Sequence, residues 1–170
     1  AQAWNEYKSS KADFSRYARQ MVLPQVGVKG QKALAAAKVT IVGMGGLGCP
    51  ASQYLTAAGV GTLQLIDGDV VELSNIPRQP LYQSDDVGRP KGEAAVERLS
   101  SLNSGTTVEK KNVFLSADNA NDLLGSADII VDATDSLAVR RILDEYSAAN
   151  SIPLVYGGLY RFEGQVSVFN

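Results

Sequence analysis

Three glycines and an aspartate in this sequence have the spacing of a phosphate-binding loop. The run Gly43-x-Gly45-x-x-Gly48 lies between an apolar stretch and a stretch with helical spacing, and Asp67 follows about twenty residues later. Glycines are needed there because side chains would keep backbone N–H groups away from a phosphate, to which the helix N-terminus adds partial positive charge. Glycines alone would indicate only a tight turn. Followed by a strand and a carboxylate that can accept hydrogen bonds from both ribose hydroxyls, they predict a nucleotide site.

The segment after the glycine loop is rich in groups that bind phosphate oxygens. Asn75, Arg78 and Gln79 stand close together, and Lys91 follows at the start of the next helical pattern. Arginine makes forked contacts with phosphate oxygens and lysine acts as a point charge. The composition therefore favours a triphosphate, whose charge exceeds that of a dinucleotide.

Two carboxylates at the end of a later apolar run extend the predicted site. Asp132 and Asp135 offer hard oxygen ligands for Mg²⁺ at the carboxyl edge of the sheet, where the glycine loop also lies. Together with the cations they predict one crevice for a nucleotide and a metal ion. An NAD-dependent oxidoreductase domain stays open as an alternative, because such a domain shares the glycine loop and Asp67 but does not require Arg78, Lys91 and Asp135.

The residue types that are scarce narrow the chemistry further. The 170 residues contain no histidine and one cysteine, Cys49. This excludes a Ser-His-Asp triad, a His-ligated metal, an internal disulfide and a Cys-rich zinc site within this sequence. Cys49, at the start of a helical pattern, is predicted to be a small buried packing residue. Catalysis must then use carboxylates, amides, arginine, lysine and backbone N–H groups.

Charge and hydropathy predict where such a chain works. Lysine and arginine number 16 against 18 acidic residues, a net charge of −2, so no basic stripe for nucleic acid is present. The first fourteen residues are polar and charged, and no apolar stretch approaches the length of a membrane span. We therefore predict a cytoplasmic protein that binds neither nucleic acid nor a membrane.

Periodicity assigns the candidate residues to alternating strands and helices. Strand patterns lie at 38–42, 62–66, 108–113, 127–131, 153–156 and 160–169, and helical patterns at 14–23, 31–37, 51–58, 90–102, 119–124 and 137–149. This alternation predicts an α/β fold, a Rossmann-like doubly wound and mostly parallel sheet with helices on both faces, preceded by N-terminal helices. We divide the chain into an N-terminal helical arm, residues 1–37, and a nucleotide-binding domain, residues 38–170.

Seven motifs in order carry a resemblance to a known family. They are Arg16-Tyr17-x-Arg19-Gln20, Gly43-x-Gly45-Gly46-Leu47-Gly48, Asp67-x-Asp69, Ser74-Asn75-x-x-Arg78-Gln79, Gly88-x-Pro90-Lys91, Asp132-x-Thr134-Asp135 and Glu163-Gly164-Gln165. From about Phe14 onward the chain resembles the ubiquitin-activating superfamily, and most closely its bacterial MoeB/ThiF/HesA branch. The resemblance implies ATP- and Mg²⁺-dependent adenylation of the C-terminal glycine of a ubiquitin-fold sulfur-carrier protein ending in Gly-Gly, with release of pyrophosphate.

The resemblance also implies a role for each matching residue. Arg19 matches the arginine that reaches into the neighbouring subunit's site, which implies a homodimer; spacing alone would favour an ordinary polar helix face. Asp135 resembles the essential magnesium-associated aspartate, with Asp69 as a weaker candidate. The implied catalytic residues are Arg19, Arg78, Lys91 and Asp135, and the implied nucleotide-binding residues are Gly43, Gly45, Gly46, Gly48, Asp67, Asp69, Asn75, Arg78, Gln79 and Lys91.

Two departures from the family pattern stand out. Ser136 replaces the asparagine that commonly follows the aspartate, which affects one nucleotide contact. The sequence stops at Asn170, where relatives continue into paired Cys-x-x-Cys ligands for Zn²⁺ and the carrier-docking region, so the Zn²⁺ expected in full-length members has no ligands here. A truncated chain is therefore expected, and a non-catalytic fragment that keeps the fold and the dimer surface is a further alternative.

Overall fold

A six-stranded sheet forms the centre of the computed structural model, which describes residues 14–170. The strands β1 to β6 span Lys38–Val42, Thr62–Ile66, Thr107–Lys111, Ile129–Asp132, Leu154–Tyr160 and Glu163–Phe169. Their order in the sheet is β3-β2-β1-β4-β5-β6. The first five strands are parallel, and β6 pairs antiparallel with β5. The predicted α/β fold with a mostly parallel sheet is confirmed.

Six α-helices accompany the sheet in the described part of the chain. They are α1 (Phe14–Met21), α2 (Gly27–Ala36), α3 (Gly48–Ala58), α4 (Lys91–Leu102), α5 (Ala120–Leu124) and α6 (Leu137–Asn150), with short 3-10 helices at Leu73–Asn75 and Ser84–Asp86. Sequence periodicity placed all six, but some ends were wrong. α2 and α3 begin four and three residues earlier than predicted. β5 continues to Tyr160 because the full β5–β6 hairpin pairs from Leu154↔Phe169 to Tyr160↔Glu163.

Helices cover both faces of the parallel sheet. Ile41 and Val42 are adjacent in β1, so their side chains point to opposite faces. Ile41 belongs to a buried cluster with α3 and α4, whereas Val42 packs with α5 and α6. Burial on both faces explains why four consecutive residues are buried in β1 and in β2, with no alternation between buried and exposed positions.

The N-terminal helices are docked at the amino ends of the strands. The Tyr17 hydroxyl accepts a hydrogen bond from Nδ2 of Asn103 at 2.7 Å, and Asn103 lies between α4 and β3. Gln20 and Gln31 both donate to the carbonyl of Ala58, which ends α3 before β2. α1 therefore lies at the edge of the sheet opposite the carboxyl ends of the strands. Residues 1–13 of the predicted arm lie outside the described residues, and the division at residue 37 stays a prediction.

No helix within residues 14–170 combines the length and the apolar character that crossing a membrane requires.

Candidate nucleotide-binding site

A crevice of about 600 Å³ opens at the carboxyl ends of the parallel strands. The chain places β2 and β3 on one side of β1, then returns to place β4 on the other side. The loops after β1 and β4 diverge at this reversal, the position where open α/β sheets bind their ligands. Its volume lies in the range of pockets for small molecules and cofactors.

The four predicted glycines divide into two pairs. Gly43 has a φ of +93°, and a Cβ there would lie 2.8 Å from the Ala133 carbonyl oxygen; at Gly48 a Cβ would lie 1.9 Å from the Gly43 carbonyl oxygen. Gly45 and Gly46 have more room, since a Cβ at either would be no closer than 3.6 Å to Gln79 or Arg78. Backbone packing therefore requires Gly43 and Gly48, whereas Gly45 and Gly46 leave open space beside the crevice.

Asp67 connects the end of β2 to the glycine loop. Its Oδ2 accepts a hydrogen bond from the Met44 N–H at 2.6 Å, and its Oδ1 accepts one from the Asp69 N–H at 2.7 Å. The side chain lines the crevice, and each carboxylate oxygen keeps a further lone pair for a ligand hydroxyl. This geometry fits the ribose contact predicted for Asp67.

Lys91 is the buried cation of the site. It begins α4, is 6% exposed, and its Nζ lies 3.0 Å from Oδ2 of Asp69, whose side chain is 55% exposed. A buried ammonium group with a single exposed carboxylate partner can turn toward an incoming phosphate. Asp69 is therefore placed to hold Lys91 within the crevice.

The amide and guanidinium groups of residues 75–79 line the same side. Asn75 is buried, and its Oδ1 accepts a hydrogen bond from the Glu72 N–H at 3.0 Å. Arg78 is exposed and donates to the Ser74 carbonyl at 2.8 Å. Gln79 is 3% exposed, and within residues 14–170 its buried Oε1 has no hydrogen-bond partner.

The loop between β4 and α6 forms the opposite side. Asp132 is 2% exposed, and its Oδ1 accepts hydrogen bonds from the N–H and the hydroxyl of Thr134 at 2.9 and 2.8 Å. Asp132 is bound to the loop by these contacts and is not among the residues that line the crevice, so a metal contact of Asp132 beside Asp135 stays a prediction. Asp135 is exposed and lines the crevice, and among the described residues its carboxylate makes no hydrogen bond or ion pair. Ser136, the departure from the family pattern, caps α6 by accepting from the Val139 N–H.

Sequence reasoning missed Arg140 and an apolar side of the crevice. The apolar side consists of Val113, Phe114 and Leu115, with the Phe114 ring covering Gly68. Arg140 lies in the first turns of α6 and lines the crevice. The sequence signal that could have found Arg140 is its position in the first turns of the helix after Asp135. Helical side chains tilt toward the N-terminus of the helix and so cover the preceding loop.

Two other candidates lie apart from the crevice surface. Arg19 is exposed on α1, at the amino ends of the strands, and does not line the crevice of its own chain. Cys49 is fully buried, and burial raises the pKa of its thiol to about 11, so the thiol stays protonated at neutral pH. The prediction that Cys49 is a packing residue is confirmed. Within the described ranges, no group of three or more acidic, cysteine or histidine side chains is arranged to hold a metal ion.

Comparison with known proteins identifies the family. Residues 17–170 match the ThiF family. The chain is 46% identical over 161 residues to a sulfur carrier protein adenylyltransferase of Thermus thermophilus, covering 95% of this chain and 59% of that protein. It is 42% identical over 152 residues to the SAMP-activating enzyme E1 of Haloferax volcanii, covering 89% and 56%.

A solved structure also matches this chain in both sequence and fold. The tRNA N6-threonylcarbamoyladenosine dehydratase of E. coli, crystallised in complex with ATP, is 32% identical with a TM-score of 0.81, and the match covers 89% of this chain and 64% of that one. The chain thus spans less than two thirds of the length of each of these three proteins. With nearly all of its described residues matched, the chain belongs to the ThiF family.

Proposed function

We propose that this chain is the nucleotide-binding part of an enzyme that adenylates a ubiquitin-fold sulfur-carrier protein. ATP binds in the crevice, the C-terminal glycine carboxylate of the carrier attacks the α-phosphorus, and pyrophosphate leaves. Family membership and the name of the Thermus thermophilus relative support the reaction. The observation that carries the proposal is the buried Lys91, which faces the same crevice as the glycine loop and the carboxylate of Asp135, unpaired among residues 14–170.

The residues present fit this chemistry without a general base. A carboxylate nucleophile is already ionised at neutral pH, so no histidine is needed to remove a proton. Catalysis then consists of aligning the groups and stabilising the charge that develops on the α-phosphate and the departing pyrophosphate. Lys91 and Arg78 supply the positive charge for this stabilisation from one side of the crevice. The N–H groups beside Gly45 and Gly46 supply hydrogen-bond donors.

The charge of the crevice supports a role for Mg²⁺. Across the described residues it is lined by the cations Arg78, Lys91 and Arg140 and by the carboxylates Asp67, Asp69, Glu72 and Asp135. These side chains do not offset the charge of a triphosphate, so a divalent cation must do so. Mg²⁺ in nucleotide sites binds to one or two carboxylates, the phosphates and water, and a single free carboxylate therefore suffices. Asp135 would hold it, whereas Asp69 would first have to release Lys91.

The position of Arg19 supports a homodimer. α1 is tied to the rest of the chain through Tyr17, Gln20 and Arg16, which donates to the Leu102 carbonyl at 3.2 Å. Arg19 on this docked helix is exposed and remote from its own crevice. Arg19 would then complete the crevice of a second copy. The cytoplasmic location stays a prediction.

Pyrophosphate exchange tests the proposal. With Gly-Gly-ended carriers, Arg78→Ala, Lys91→Ala and Asp135→Ala should each lower carrier-dependent ATP–pyrophosphate exchange at least about 100-fold, since each removes charge stabilisation. Lys29→Ala, on the exposed side of α2, should match the parent. Unchanged exchange in all three crevice variants would exclude the assignment. ATP binding without any exchange in the parent favours the non-catalytic fragment, and stabilisation by NAD but not ATP favours the oxidoreductase.

A further inference from the structure

Arg140 joins three segments at one side of the crevice. Its Nη1 donates to the Tyr156 hydroxyl at 2.7 Å, and its Nη2 donates to the carbonyls of Thr134 and, at 3.2 Å, Gly157. The guanidinium lies 4.7 Å from the centre of the Tyr156 ring, and Nε lies 3.7 Å from Oδ2 of Asp132. Arg140 thus connects the end of β4, the following loop and β5.

These contacts fix the residue that precedes Asp135. Thr134 is held at its N–H and hydroxyl by Asp132 and at its carbonyl by Arg140. On the other side, Ser136 is held as the cap of α6. Asp135 lies between two fixed residues, with its carboxylate directed to the crevice and without a partner in the described part of the chain.

We propose that Arg140 is a positioning residue that sets the direction in which Asp135 presents its carboxylate. The inference rests on the proposed function, in which Asp135 holds Mg²⁺ on the nucleotide. Both Nη2 protons of Arg140 are used by backbone carbonyls, Nη1 donates to Tyr156, and the buried Nε faces Oδ2 of Asp132 at 3.7 Å. Most of the donors of Arg140 thus serve the loop and β5, which favours an action through the loop over a direct contact with the nucleotide, although Arg140 lines the crevice.

The geometry requires arginine rather than positive charge alone. The planar guanidinium donates in several fixed directions at once, whereas a lysine ammonium is a point charge on a flexible stem. Arg140→Lys should therefore behave like Arg140→Gln. Recovery of parental behaviour by Arg140→Lys would show that charge alone matters and would overturn the proposal.

The test measures affinity for a non-hydrolysable ATP analogue by calorimetry, with Mg²⁺ and with EDTA. Loss of groups that orient a metal ligand weakens metal affinity by about 10- to 100-fold. Arg140→Lys and Arg140→Gln should lower the Mg²⁺-dependent gain in analogue affinity about tenfold, and leave the affinity in EDTA unchanged. Arg141→Gln is the matched control, because Arg141 is 82% exposed and pairs with Glu145; it should match the parent.

A double variant separates positioning from direct contact. If Arg140 acts through Asp135, adding Arg140→Gln to Asp135→Asn should change analogue affinity less than about twofold, since coupled residues are not additive. Additive losses, or equal losses with and without Mg²⁺, would overturn the proposal. Thermal unfolding without nucleotide identifies any variant that fails to fold. In that case Tyr156→Phe, which removes one acceptor of Arg140, should lower the Mg²⁺-dependent gain about threefold, and an unchanged gain would overturn the proposal.

The outcomes also separate this inference from the proposed function. If the parent chain does not bind the analogue, or if Asp135→Asn has no effect on the Mg²⁺-dependent gain, the proposed function and the inference both fail. If Asp135→Asn removes that gain while Arg140→Gln retains it, only the inference fails.

Discussion

The two sides of the crevice are both anchored by a buried carboxylate with arginine neighbours, but the anchors differ in position. On one side, formed by residues 67–91, Asp86 is bound by Arg89 at 2.8 Å and Arg98 at 3.3 Å, and none of these three lines the crevice. On the other side, formed by residues 132–140, Arg140 beside Asp132 lines the crevice itself. We call these the 67–91 side and the 132–140 side.

The two sides also hold the glycine loop by different means. The 132–140 side packs directly on it, since Gly43 has no room for a Cβ beside Ala133. The 67–91 side holds it by hydrogen bonds at Met44, whose N–H donates to Asp67 and whose carbonyl accepts from the Tyr82 hydroxyl. Open space therefore remains between the loop and the 67–91 side, where a ligand can bind. We expect the ion pairs of Asp86, which are remote from that space, to stabilise the fold. We expect Arg140 beside Asp132, which faces the crevice, to affect ligand binding.

The largest effect on stability should distinguish a tightly packed glycine, Gly43, from a glycine beside open space, Gly45. Gly43→Ala should lower the free energy of unfolding by about 3 kcal/mol or more, because it combines a positive φ with a close approach to the Ala133 carbonyl. Gly45→Ala, on the open side, should cost less than about 1 kcal/mol. Urea unfolding of both variants provides the measurement. Equal costs would contradict the comparison.

A smaller effect should come from the remote anchor of the 67–91 side. Asp86→Asn should lower the free energy of unfolding by about 2 kcal/mol, since it leaves two guanidinium groups without their buried partner. Analogue affinity of the folded variant should change little, unlike that of Arg140→Gln. Asp85→Asn, an exposed neighbour, is the control for denaturant unfolding.

Acid pH should remove the contribution of the Asp86 ion pairs to the free energy of unfolding. Burial of Asp86 opposes ionisation, but the Gln83 N–H and the guanidinium groups of Arg98 and Arg89 lower the pKa of its carboxyl below the usual 3.8. The stabilisation is therefore present above about pH 4 and is lost as pH falls through the lowered pKa. The difference in unfolding free energy between the parent and Asp86→Asn should shrink over that range. A difference that stays constant down to pH 2 would contradict the assignment.

The smallest effect should come from the hydrogen bond to Met44. Tyr82→Phe removes a buried hydroxyl that donates to the Met44 carbonyl at 2.8 Å, and should cost about 1 kcal/mol. Tyr54→Phe, at a tyrosine that is 78% exposed, should be neutral. Guanidinium unfolding measures both. A neutral Tyr82→Phe would mean that the Tyr82 hydroxyl does not help to hold the loop at the Met44 carbonyl.

The elements and most of the crevice residues could be predicted because their signals are local. Buried parallel strands are short apolar runs, and the glycine loop marks the turn that follows the first of them. Asp67, Lys91 and Asp135 lie just beyond strand ends or at a helix start, and the carboxyl ends of parallel strands meet at one edge. Once the strands are located in the sequence, residues that follow different strands can be predicted to meet at that edge.

Other features depend on which residues meet across the sheet. Asp132 and Asp135 have similar sequence contexts, yet one is buried under Thr134 and the other faces the crevice. Arg140 and Arg141 are adjacent, but one joins β4 to β5 and the other pairs with Glu145 at the surface. No spacing rule separates the members of these pairs, because helix rotation and sheet order decide which one points inward.

The amino-acid sequence by itself determined the α/β class, the edge of the sheet at which the site lies, and the chemistry available without histidine. Those properties follow from periodicity and from side-chain types. The tertiary structure decided which glycines are required by packing, which aspartate is free, and which arginine holds the loop. These depend on distances between segments far apart in the chain, and such distances are set only when β4 pairs with β1 and β5 pairs with β4.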